Sequence, residues 1–307
     1  KSKFSIEPMV KVNDKLFNWS NVNSNQTLEE NYLPLPKVSW DCDELKLETK
    51  IFADGEANQN SILYLKYVIT NNSSMSKIGS LFLLIRPFQV NPYYQFLNLT
   101  GGVSSKIYVD DKIIIPITNY NSFNVAAFDE GNIIEFLGKV NVPDNKEIAD
   151  QTGLASGVLK YDFDLNPNDQ KFIYIAVPFY SEESVKDNLT ENIVENKLNQ
   201  TIEFWKEKVN HIKFNLPESA DRIVNTYKSN LAYILINRDN VGIQPGSRSY
   251  ERSWIRDGAL TSSALLKAGI VKEVKDYIDW YTSHQFENGK VPCVVDKRGP
   301  DPTPEND

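Results

Sequence analysis

The densest set of chemically capable residues runs from Gln244 to Gly258, in the order Gln-Pro-Gly-Ser-Arg-Ser-Tyr250-Glu-Arg-Ser-Trp254-Ile-Arg256-Asp257-Gly258. It crowds guanidinium, carboxylate, phenol and indole groups into the end of a loop and the first turn of a helix. Buried polar atoms need partners, so such a group either satisfies itself or waits for a polar ligand. A sugar suits it. Arginine offers a planar fork of donors and aspartate two acceptor oxygens, which together can hold adjacent hydroxyls. Tyr250 and Trp254 add flat apolar faces for the CH side of a pyranose. A plainer reading stands beside this one, in which Arg256 and Asp257 form an ion pair that caps a helix.

A second acidic stretch, Val295-Asp-Lys-Arg-Gly-Pro-Asp-Pro-Thr-Pro-Glu305-Asn-Asp307, reads as a loop rich in Gly and Pro. Asp296, Asp301, Glu305 and Asp307 fall in it, and by themselves they read as a solvated acidic loop. Other chemistries fail on spacing. Asp162-x-Asp164-x-Asn166-x-Asn168 opens like a calcium loop, but its sixth position is Pro167 and its twelfth Ile173. His211 and His284 are isolated within helical patterns. No phosphate-binding glycine motif and no G-x-S-x-G occur. Cys42 and Cys293 are too few for a disulfide framework or a four-ligand zinc site, and read as free thiols. No cofactor or metal is expected.

These residues are carried by 307 positions, long enough for two domains. The hydrophobic fraction of 41% and 11% aromatics supply sizeable cores and exclude a chain disordered throughout. With 33 basic and 41 acidic side chains the formal charge is −8, so nucleic acid binding would need a basic patch, and none is present. The longest apolar runs, such as Leu81–Ile85, fall far short of the roughly 20 residues a bilayer-spanning helix needs, so membrane insertion is not expected. Compartment and oligomeric state are left open.

To about residue 180 the hydrophobic period is mostly two. Segments 45–49, 62–69, 81–90, 106–117, 123–128, 133–140, 158–165 and 171–180 alternate or run apolar between Gly, Asn, Asp and Pro clusters. This predicts an antiparallel β-sandwich over 1–180. At Ser181 the pattern changes: Ser181–Ser184 fits a helix start, and 185–212 reads as a long connecting helix. Further helical periods follow around Ile223–Ile234, over 256–268 with Gly269 closing the helix, and around Val274–Tyr281. The expected order is a sandwich (1–180), a helical linker (181–215) and an all-helical segment (216–307), with helices only after residue 180.

Tyr250-x-x-x-Trp254-x-Arg256-Asp257, followed by Ala264-Leu-Leu-Lys-Ala-Gly269, resembles the glucoamylases and their relatives, the six-hairpin glycosidases. Arg86-Pro-Phe-Gln-Val-Asn-Pro92 is similar to the sandwich segment of bacterial members. The resemblance implies a β-supersandwich, a linker helix and the start of an (α/α)6 barrel, incomplete within this sequence. It implies that Arg256 and Asp257 hold hydroxyls of the sugar to be cleaved, and that Tyr250 and Trp254 line the same subsite. It implies too that the acidic loop 295–307 rims the sugar site, with Glu305 and Asp307 as substrate contacts. It further implies an oligosaccharide substrate and inverting, exo-acting hydrolysis of an α-glucoside or related sugar, without cofactor. The glutamate acid and base of that family would correspond to positions past Asp307, so no catalytic residue is named. An α-L-rhamnosidase, a disaccharide phosphorylase or a non-catalytic carbohydrate-binding protein are the alternatives.

Overall fold

The computed structural model of the chain describes residues 4–87, 95–103, 106–131, 133–137, 143–180, 185, 189–247 and 250–304. The fold is antiparallel β followed by helices. The chain divides into two compact units, one of Lys1–Thr27 with Lys37–Leu198, the other of Leu28–Pro36 with Asn199–Asp307.

The β part of the chain forms two large sheets. The smaller has the strand order Ser122–Ala126, Ser156–Leu165, Lys77–Arg86, Ser5–Val12, Lys15–Phe17. The larger has nine strands. From one edge these are Glu147–Ala149, Leu99–Val103, Lys106–Val109, Lys112–Pro116 and Gln170–Pro178, then Ile62–Asn71, Leu45–Asp54, Leu33–Cys42 and Asn23–Glu29. Alternate residues explain the pairing. Leu81, Leu83 and Ile85 from one sheet meet Leu65, Tyr67, Ile69, Ile173 and Ile175 from the other in a single buried cluster. The residues between them, Phe82 and Leu84, point the opposite way into a second cluster with Met9, Ala126 and Val158. Both faces of that strand are therefore covered, which is why Leu81–Ile85 is an unbroken apolar run rather than an alternating one.

Helix α1 (Ile133–Leu137) provides the second cover, with Ile133 and Leu137 buried one helical turn apart. This corrects the strand expected over 133–140, whose last three residues lie outside the described ones. The segment reads equally as period two or as an i, i+4 pair, and packing on Phe82 and Leu84 selects the helix. The expected strand 106–117 is instead a hairpin of Lys106–Val109 and Lys112–Pro116, turning at Asp110, which takes φ 55°. Helix α2 (Glu191–Val209) starts later than expected. The hydroxyl of Thr190 accepts from the Ile193 N–H at 3.4 Å, so Thr190 is the capping residue. The expected start at Ser181–Ser184 lies outside the described residues.

The second unit contains α3 (Asp221–Ile236), α4 (Ile255–Lys267) and α5 (Lys272–Thr282). Gly269 closes α4 at φ 79°, with the Ile270 N–H reaching back to the Leu265 carbonyl. One expectation needs correcting: the region after residue 180 is not helical alone. Ser253–Trp254, Val294–Asp296 and Gly299–Pro300 form a small antiparallel sheet. Strands this short carry no readable period, and ion pairs described below hold them. Among the described residues no helix is long and apolar enough to cross a membrane.

Candidate functional site

The Tyr250–Asp257 stretch folds as a strand running directly into a helix. Ser253 and Trp254 pair with Val295 and Val294, and the Ile255 N–H donates to the Cys293 carbonyl at 3.1 Å. Trp254 keeps extended backbone angles (φ −87°, ψ 128°), and α4 begins at the next residue, without a side-chain cap. Arg256 and Asp257 thus fall in the first turn, where free N–H groups and the helix dipole favour negative charge.

Four of the six expected residues have a defined place. The Tyr250 N–H donates to the Ser247 carbonyl, and the residue is 63% exposed. Trp254 is half-buried, and its ring lies 5.4 Å beneath the Arg252 guanidinium. Arg256 is exposed and lines an open groove of about 440 Å³ with Ile255, Ala259, Leu260, Lys290 and Val291. Asp257 is half-buried. Its backbone carbonyl accepts from the Thr261 hydroxyl, while its carboxylate makes no hydrogen bond or ion pair among the described residues. Trp254, Arg256 and Asp257 therefore share one junction, with Arg256 alone of the three lining the groove. Glu305 and Asp307 lie outside the described residues.

Several buried polar atoms around α4 and α5 are also without hydrogen-bond partners among the described residues. They are Trp254 Nε1, Ser262 Oγ and Tyr277 Oη. Burial raises the Tyr277 phenol above its ordinary range, and the negative charge of Asp257 raises it further. Such a concentration of unsatisfied groups calls for a ligand or ordered water.

What sequence reading did not find is the device that fixes the junction. Asp296, 10% exposed at its side chain, accepts from Arg252 Nε at 2.7 Å and from Arg298 Nη2 at 2.6 Å. Arg298, with help from Arg252, holds the Asp296 carboxyl well below the usual carboxylate range. The start of the stretch expected as a loop, residues 295–300, is thus part of a hairpin locked onto the Trp254 strand. Arg252 and Asp296 are too far apart in sequence for spacing to announce the pair. Among the described residues no group of three or more His, Cys, Asp or Glu could hold a metal ion.

No family model and no curated protein sequence matches the chain. Among solved structures it is similar to a protein from the human microbiome assigned as a kojibiose phosphorylase. The TM-score is 0.53 at 10% identity, over 96% of this chain and 42% of that one. At that identity the likeness is one of fold, and this chain spans less than half the length of its neighbour. A GH92-family glycosyl hydrolase also matches, with TM-score 0.25 and 8% identity over 76% of this chain and 27% of the other. At that score the second likeness carries no argument.

Proposed function

We propose that the chain belongs to a carbohydrate-active enzyme and that the junction of Trp254 with α4 grips a sugar ring. The observation that carries this is Asp257. A half-buried carboxylate in the first turn of a helix, without an intramolecular partner among the described residues, fits poorly with a capping ion pair. It fits well with a group that receives ligand hydroxyls. Trp254 supplies an apolar face beside it, and Arg256 supplies donors from the adjoining groove. Tyr250 is exposed at the approach to the same junction, and Glu305 and Asp307 are proposed as further contacts. The fold shared with a protein assigned as a disaccharide phosphorylase agrees with this substrate class.

The finer reading is inverting, exo-acting hydrolysis of an α-glucoside. Arg256 and Asp257 would tighten on the ring as it flattens toward an oxocarbenium-like transition state, with glutamates supplying the proton and activating the water. The named neighbour favours a second reading, in which phosphate replaces water and a disaccharide is split into a sugar phosphate and a free sugar. Two measurements test both. Calorimetry with maltose, kojibiose and longer gluco-oligosaccharides, on wild type and Asp257→Asn, tests the grip. Product analysis with and without inorganic phosphate separates free glucose from glucose phosphate. Unchanged sugar binding in Asp257→Asn would end the proposal for this junction.

A further inference from the structure

On the nine-stranded sheet, far along the chain from Asp257, one tyrosine stands in the open. Tyr108 alternates with the fully buried Ile107 and Val109, so its ring leaves the outer face, 46% exposed. Its cross-strand neighbour on one side is Gly101, and beyond Gly101 in the same row stands Glu147. With no side chain at 101, the next residue in the row reaches toward that flank of the ring. The space is not idle: a Cβ at 101 would meet Glu147 Cγ at 2.7 Å, so the glutamate stem leans across the glycine. The result is a hollow of about 530 Å³ bounded by Gly101, Gly102, Lys106, Tyr108, Lys146 and Glu147. A second hollow of about 230 Å³ lies on the ring's other side, bounded by Asp110, Asp111, Lys112, Pro178 and Tyr180.

The walls are fixed. The Lys146 ammonium donates to the Phe123 carbonyl at 3.0 Å, and Lys112 to the Phe179 carbonyl at 3.1 Å. Asp110 Oδ1 accepts from the N–H groups of Asn98 and Leu99. The Tyr180 hydroxyl is tied to Asn58. Polar wall residues held in advance lower the ordering cost of binding.

We infer that the two hollows flanking Tyr108 form an oligosaccharide-binding surface separate from the α4 junction. Their three lysines balance their three acidic residues, so the surface favours neither a polyanion nor a polycation. Strand Lys106–Val109 is paired on both sides, which leaves no edge for a peptide to extend. A chain of neutral rings with apolar faces and hydroxyl rims matches what remains: the exposed rings of Tyr108 and Tyr180, with Glu147 and the lysines around them.

Affinity electrophoresis tests this, with amylopectin, dextran, β-glucan or xylan cast in separate gels. Wild type is retarded by at least one of them. Tyr108→Ala weakens that retention about tenfold or more, Glu147→Ala weakens it less, and Tyr108→Phe keeps it. Circular dichroism confirms that each variant is folded. Asp257→Asn keeps the part of the retardation that Tyr108→Ala removes, because its carboxylate lines neither hollow; if it also keeps short-oligosaccharide binding, the α4 proposal fails while this one stands. No retardation by any polymer, equal retardation of Tyr108→Ala, or its complete loss in Asp257→Asn would each overturn the inference.

Discussion

The Tyr277 hydroxyl occupies the space that a side chain at position 258 would need, so Gly258 and Tyr277 exclude any larger pair. A Cβ built on Gly258 would overlap the phenol oxygen and its ring carbon. The close approach brings α5 against the first turn of α4, directly after Asp257. In an exposed helix, Gly→Ala is stabilising by about 1 kcal/mol. Here the expected sign is reversed: Gly258→Ala costs about 1–3 kcal/mol through overpacking. Tyr277→Phe behaves differently. The hydroxyl is buried without a partner among the described residues, so its removal is neutral or slightly stabilising. Urea unfolding of both variants measures the contrast, and a costly Tyr277→Phe would show that the hydroxyl has a partner within the fold.

Asp257 and Asp296 are both acidic residues of the second unit, yet they should respond to alanine in opposite ways. Asp257 has no side-chain partner among the described residues and gains only from the helix N-terminus, so Asp257→Ala costs no more than about 1 kcal/mol of stability. Its effect belongs to the ligand. A charge-assisted hydrogen bond to a sugar hydroxyl is worth about 1.5–3 kcal/mol, so affinity or turnover falls roughly ten- to hundredfold. Thermal unfolding and sugar calorimetry on one preparation test both halves. A large loss of stability with intact sugar binding would return Asp257 to a structural role.

The sandwich was legible in the sequence because its strands are long and half-buried. Ile62–Asn71 alternates visibly, and Leu81–Ile85 is an apolar run of a length suited to a strand covered on both faces. Helices α3 to α5 were legible for the same reason at the other period. Failures came where local sequence carries two meanings or none. Ile133–Leu137 fits both periods, and only the apolar outer face of the neighbouring sheet decides between them. The strand Leu99–Val103 carries Gly101-Gly102 between Thr100 and Val103, so a pair that reads as a turn interrupts its branched residues. At the candidate site, types and spacing singled out Trp254, Arg256 and Asp257 as candidates, and these fold as one strand-to-helix junction. They could not show that Asp296 anchors it, because an ion pair between distant residues exists only once the chain has folded.

That anchor predicts a pH dependence. The Asp296 carboxyl titrates lower in the folded protein than in the unfolded chain, chiefly because Arg298 and Arg252 favour its charged form. Its stabilising contribution is therefore complete above the ordinary carboxylate range near pH 4 and is lost as pH falls toward the depressed folded value. Asp296→Asn should lower stability at pH 7 and flatten the acid limb below about pH 4. An Arg252→Ala, Asp296→Ala cycle should give a coupling of about 0.5–3 kcal/mol. A coupling near zero, or an acid limb unchanged in Asp296→Asn, would mean that the hairpin is held by its backbone bonds alone.

The two thiols provide an independent check on the core. Cys42 ends the strand Leu33–Cys42, is fully buried and belongs to the cluster shared by both sheets. Burial, reinforced by the charges of Asp41 and Asp43, pushes its thiol up to about 12. Only the thiolate attacks disulfide reagents, so at pH 8 on the order of one part in 10⁴ of Cys42 would be reactive even if a reagent could reach it. Cys293 is half-buried beside the Trp254 junction. Ellman's reagent should therefore label one thiol of the folded protein readily, and Cys293→Ser should abolish that labelling while Cys42→Ser leaves it unchanged. Cys42 should react only through unfolding of the sandwich, at a rate that rises with urea in step with the open population. Ready native-state labelling of Cys293→Ser would show that the strand Leu33–Cys42 opens far more easily than its packing implies.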